Sequence, residues 1–135
     1  MPLDPAAFQA DPELIRALSE HATPVVCGAK RILFRQDEPA VGLFILHQGE
    51  ATLSMTSHRG EPILTVEARE GSLLGLPGLI SNQPYSLTAV AQAGARVSFL
   101  ARDEFTRRMQ SDPMLAFKIL QVLAAEVRSA RQAIL

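Results

Sequence analysis

Three histidines and one cysteine are the residues around which metal or nucleophilic chemistry would have to be built. His21, His47 and His58 include no pair at i, i+2 on a strand or i, i+4 on a helix, the spacings that bring two imidazoles to one metal. Cys27 is alone, which excludes an internal disulfide, a cysteine-based zinc site and a cysteine-ligated iron–sulfur cluster. No Gly-x-Ser-x-Gly elbow or Walker pattern occurs, and no serine has a histidine at a diagnostic spacing. The sequence thus reads as a non-enzyme with no catalytic residue, metal or cofactor, a small β-barrel enzyme being the minor alternative. What remains is a glycine-rich segment, Gly71 to Pro84, apolar at its start and holding Gly75, Pro77 and Gly78. Backbone N–H groups at such a turn point their dipoles at an anion, and glycine permits its close approach.

The elements that position this turn follow from pattern. At 135 residues the chain is one domain, and 47% hydrophobic with 20% charged residues predicts a packed core with apolar surface to spare. A formal charge of -1, with no run of Lys and Arg, gives no electrostatic footprint for nucleic acid. The N-terminus MPLDPAAFQADPEL lacks the basic and apolar regions of a secretory signal, and no segment reaches the ~20 apolar residues of a membrane span. A cytoplasmic protein without membrane contact is expected, and the lone cysteine fits a reducing compartment.

Residues 1–24 predict N-terminal helices: Asp4 and Asp11 are N-cap residues, each followed by proline at the first helical position. Leu14, Ile15 and Leu18 form the stripe of the second, with Thr23-Pro24 as its stop. Residues 25–101 change to short β-rich runs: Val25–Cys27, Arg31–Phe34, Gly42–His47, Ala51–Met55, Ile63–Val66, Leu87–Ala91 and Arg96–Leu100. Turn signals between them indicate a sandwich or barrel. Residues 102–135 predict two further helices, separated at Ser111-Asp112-Pro113. The chain is therefore mainly β with flanking helices.

This order resembles the cyclic-nucleotide-binding domain of the Crp/Fnr regulator family. The run from Ile32 to Ala51, with its Asp37-Glu38-Pro39-Ala40 turn, Phe44-Ile45-Leu46 strand and Gly49-Glu50 turn, is similar to the family's first signature, with Gln36 where glycine is usual. Residues 70–91 resemble its phosphate-binding cassette. The resemblance implies a double-stranded β-helix (jelly-roll) barrel, N-terminal helices, a long C-terminal helix and a regulatory, ligand-sensing role. It covers nearly the whole chain, which stops where promoter-binding members continue into a helix-turn-helix domain, so a stand-alone sensor is expected.

The resemblance also marks what is missing. The family's cassette glutamate, which accepts from the ribose hydroxyl, falls on Leu76; its phosphate-binding arginine falls on Ser86 or, with a one-residue shift, Leu87. Pro77 removes a further donor. Hydrogen bonds to charged groups contribute roughly 1.5–3 kcal/mol each, so losing both weakens binding by on the order of a thousandfold. Candidate ligand contacts are Gly75, Leu76, Gly78, Leu79, Ser86, Leu87, Thr88 and Ala89, with Arg69 or Arg96 as substitute cations for a genuine cAMP or cGMP sensor. The set Leu73, Leu74, Leu76, Leu79 and Ile80 either lines a pocket for a less polar small-molecule effector or fills the former pocket as core, and its apolar density favours filling.

The last helix carries a stripe, Phe117, Leu120, Ala124, Val127, Arg131 and Ile134, widened by Ile119, Leu123 and Ala130. One such face packs on the parent barrel; a second suits the same helix of another subunit, and small residues at 124, 125 and 130 allow close approach. A homodimer through Phe117, Leu120, Ala124 and Val127 is expected, with Glu126, Arg128 and Arg131 at its rim.

Overall fold

The computed structural model describes residues 3–133. Each expected N-cap forms: Asp4 Oδ1 accepts from the Ala6 N–H at 3.0 Å, capping a 3-10 turn over Pro5–Phe8, and Asp11 Oδ1 accepts from the Leu14 N–H at 2.8 Å, capping α1 (Pro12–Ser19). Eight strands follow: β1 (Thr23–Val25), β2 (Arg31–Phe34), β3 (Gly42–Gln48), β4 (Ala51–Thr56), β5 (Pro62–Ala68), β6 (Ser72–Leu74), β7 (Thr88–Ala91) and β8 (Arg96–Ala101). A short helix α2 (Leu76–Ser81) lies between β6 and β7; α3 (Arg102–Ser111) and α4 (Pro113–Ala133) close the described chain.

The strands form two four-stranded antiparallel sheets, β1-β8-β3-β6 and β2-β7-β4-β5, the layered arrangement of a jelly roll. Their inner faces meet in one core containing Leu43, Ile45, Leu53, Leu73, Leu74 and Leu100. Two expectations shift. Thr23 and Pro24 do not end a helix; α1 stops at Ser19 and both belong to β1. Proline is tolerated there because β1 is an edge strand, paired only with β8. The glycine-rich segment contains a strand, β6, whose three residues are all buried, so it carries no alternating pattern to announce it.

Close approach of chain to chain fixes the next element. A Cβ on Gly42 would overlap the Phe99 ring and the Leu100 carbonyl across the β3–β8 ladder. Gly42→Ala is expected to cost about 1–3 kcal/mol by overpacking, read in thermal unfolding as a Tm lowered by roughly 3 °C or more.

Candidate functional site

The cassette is tied to the barrel at Tyr85. Tyr85 is only 2% exposed; its hydroxyl donates to the Gly42 carbonyl at 2.7 Å and accepts from the Gly42 and Val41 N–H groups at 3.2 Å each. Its ring stacks on Phe34 with centroids 4.0 Å apart. The backbone repeats the link, the Asp37 N–H donating to the Tyr85 carbonyl and the Tyr85 N–H to the Glu38 carbonyl. Burial pushes the phenol above its ordinary range, the hydrogen bonds to Gly42 and Val41 opposing it.

Close packing accounts for both cassette glycines, at Gly75 through the tyrosine. Gly75, at φ +95°, caps α2 in the left-handed region, and a Cβ there would fall 2.8 Å from the Tyr85 ring. A Cβ on Gly78 would fall 2.9 Å from the Gln83 carbonyl oxygen. Leu73, Leu74, Leu76 and Leu79 are buried, and Ile80 packs on them. The residual cavity among Phe34, Leu74, Gly75, Tyr85 and Leu87 measures about 20 Å³, room for about one water molecule. Thr88 and Ala89 sit on β7: the Thr88 hydroxyl accepts from the Gln36 N–H at 2.9 Å, and Ala89 is enclosed in the ladder between Phe34 and Leu53. Ser86 is exposed and Leu87 half-buried at the mouth.

A second, larger cavity of about 140 Å³ adjoins the first. Its walls come from the strands (Met55, Leu64), the cassette (Pro77, Ser86, Leu87), the N-terminal turn (Leu3, Phe8) and α4 (Glu126, Val127, Ala130). Sequence reasoning missed the N-terminal wall. The segment from Leu3 to Ala10 is clasped between cassette and α4, the Asp4 N–H donating to Ser129 Oγ at 2.8 Å and the Ala10 N–H to the Gly71 carbonyl at 2.8 Å. It also misplaced Glu126. The residue is not at an exposed rim; it is 7% exposed and lines both cavities. On α4 the buried stripe is Leu115, Ile119, Val122, Glu126 and Ser129, and its spacings of three and four put Glu126 where an apolar residue would continue the row.

Arg69 and Arg96 are both exposed. Arg96 lines a separate open groove with Arg16, Ser19 and His47, where His47 Nε2 lies 2.6 Å from Ser98 Oγ. Desolvation, then the Arg96 charge, hold that imidazole below its ordinary pKa. Among the described residues, neither cavity beside the cassette has a lysine or arginine in its wall. His21 Nδ1 lies 3.3 Å from Glu104, Cys27 is buried against the Val25 carbonyl, and His58 is exposed, so the four ligand-type residues do not converge. Among the described residues no cluster of three or more potential metal ligands occurs, and no helix is long and apolar enough to cross a membrane.

The family model of the cyclic nucleotide-binding domain matches residues 24–112, from β1 to the end of α3. The chain belongs to that family. Solved structures carry the same fold: the Thermus thermophilus catabolite activator protein superposes with a TM-score of 0.78 at 20% identity, over 97% of this chain and 62% of that one. A Thermotoga maritima transcriptional regulator gives 0.76 at 17%, over 89% and 94% respectively. The sensor domain of the transcriptional regulator DNR from Pseudomonas aeruginosa gives 0.68 at 20%, over 90% and 82%. This chain thus spans less than two thirds of the Thermus activator's length. No curated protein sequence matches it. The Crp/Fnr-like jelly roll expected from the strand order is this fold; within it, the Tyr85 ring packs beneath Gly75.

Burial raises the Glu126 pKa from 4.5 to about 8, with no cation beside it to oppose the shift. A carboxyl whose pKa is higher folded than unfolded favours the folded state least at high pH. The penalty is absent below pH 4.5, grows as the unfolded chain ionises while the folded one keeps its proton, and is complete above about pH 8. Glu126→Gln is therefore expected to match the parent in stability near pH 4.5 and to exceed it by roughly a few kcal/mol at pH 8 to 9, measured by urea unfolding across that range.

Proposed function

We propose that this chain is a non-catalytic regulatory module that senses a small molecule, binds cyclic nucleotides weakly or not at all, and signals through α4. The observation that carries this reading is Tyr85, anchored by its hydroxyl and stacked on Phe34 in the space beneath Gly75. A cyclic phosphate entering there would have to displace a buried ring and would meet the Glu126 carboxyl rather than a guanidinium. Leu76 is fully buried and offers the ribose nothing. The reading with a substitute arginine is disfavoured because Arg69 and Arg96 are exposed and outside the cavity walls.

Signalling through α4 is supported by the larger cavity, since Val127 and Ala130 form part of its wall. On the opposite side of the helix's buried stripe, Phe117 is 59% exposed, Leu120 49% and Val127 44%, with Ala124 exposed among them; Ile134 lies outside the described residues. The barrel leaves this stripe uncovered. A second copy of α4 is its proposed occupant, and a ligand that displaces Val127 would alter that contact directly.

Calorimetric titration with cAMP and cGMP is expected to give dissociation constants of about 1 mM or weaker; a low-micromolar constant for either would overturn the reading. Sedimentation equilibrium is expected to find a dimer that Leu120→Glu weakens at least about tenfold, one charged side chain in an apolar helix seam costing more than 1.4 kcal/mol. A parent chain that stays monomeric at high concentration would remove the α4 pairing.

A further inference from the structure

Among the described residues Glu126 is the one charged-type side chain in the walls of the two cavities beside the cassette, and its Oε1 is buried without a hydrogen-bond partner. A buried acceptor left unsatisfied costs about 1–3 kcal/mol, and ionising it there costs more. Structural carboxyls in cores avoid this with a cation or backbone donor; among the described residues none is supplied. The group faces the space of about 140 Å³, whose remaining surface is mostly apolar, with Leu3, Phe8 and Leu87 in the wall and the exposed Ser86 at the mouth. A dry apolar cavity of about 150 Å³ accepts a molecule the size of benzene.

We infer that this cavity binds a small, uncharged, mostly apolar molecule of about one aromatic ring that presents an N–H donor, with the buried Glu126 carboxyl as its polar anchor. The inference rests on the sensing role proposed above and names the ligand class. An apolar body replaces the emptiness among Leu3, Phe8 and Leu87, and the N–H satisfies Oε1. An anion is disfavoured because, among the described residues, no lysine or arginine stands in the walls. A cation is disfavoured because its desolvation in an apolar cavity offsets most of what the ion pair returns. A carboxyl that keeps its proton at neutral pH presents an acceptor and a donor side by side, the complement of a carboxamide edge. The pairing is neutral on both sides, so no charge enters the cavity.

The test uses benzamide, benzylamine, benzoate and toluene as probes of nearly one size, titrated into the whole chain at pH 7 and followed by methyl NMR at Leu87 and Val127. Benzamide is expected to saturate and to bind at least about tenfold more tightly than toluene or benzoate, one hydrogen bond to a buried group being worth about a factor of ten. Glu126→Leu is expected to abolish that preference while keeping toluene binding. Glu126→Gln retains an acceptor and a donor, so it keeps benzamide within a few fold and controls for folding. Leu87→Trp fills the cavity and is expected to remove all binding. Failure of benzamide to saturate, benzamide binding unaffected by Glu126→Leu, or a preference for benzylamine would each overturn the inference. Cyclic AMP titrated into the same sample separates the two proposals: micromolar cAMP binding defeats the sensing reading itself, whereas silence from cAMP and benzamide together defeats only the ligand class.

Discussion

The Tyr85 hydroxyl is the point on which the two halves of the domain depend. By donating to one backbone carbonyl of β3 and accepting from two N–H groups at its start, it ties the cassette to the sheet and leaves no polar atom of its own unpaired. Buried phenols are stable only with such partners. Once the ring is fixed, Phe34 stacks beneath it, Gly75 must lack a Cβ above it, and α2 can begin only where it does. The phosphate-cradle geometry of a glycine turn and the close packing of a glycine under an aromatic ring call for the same residue type. Composition alone cannot distinguish them; the position of Tyr85 does.

The second constraint is the sandwiching of α4 and the N-terminal turn. A leucine at position 126 would have continued the apolar packing, since Ile119 and Val122 precede it on the same row. The carboxyl is instead placed between Phe8 and Leu87 at the junction of the two cavities. Folding tolerates it because the group keeps its proton, which converts the large cost of a buried charge into the smaller one of an under-bonded acid. The N-terminal turn contributes because Asp4 and Ala10 bond at its two ends to Ser129 and Gly71, closing the wall that Phe8 and Leu3 complete.

Seven of the eight strands, both N-caps and the break before Pro113 were legible in the sequence, since each has a local cause: short β-rich runs between turn residues, an Asp before Pro, a proline that cannot continue a helix. The site was legible only in its cassette half. Position 76 as leucine and positions 86 and 87 without arginine could be read directly. Tyr85 could not, because Asn82, Gln83 and Pro84 before it announce a loop, and its partners lie more than forty residues away in β3. Glu126 was misread because α4 is apolar on two faces. Leu115, Ile119 and Val122 form one stripe and Phe117, Leu120 and Val127 another, and periodicity gives the helix without saying which stripe the barrel covers.

That ambiguity has a physical origin with consequences for how the domain works. A helix with one apolar face is committed by its own barrel, and a change in the barrel's cavity has nothing further to act on. A helix with two is committed on one side only, so its second face reports any shift of the first. In α4 the faces are not insulated from each other: Val127 contributes to the cavity wall and is also 44% exposed on the outer stripe. One turn of helix therefore carries the carboxyl that a ligand would satisfy and, at the next residue, the apolar side chain that a partner helix would cover. Glu126 and Val127 are neighbours on that turn, so a shift of its backbone at one moves the other. Coupling between an occupied cavity and a surface contact then needs no long pathway through the fold; adjacency on a single helix is sufficient.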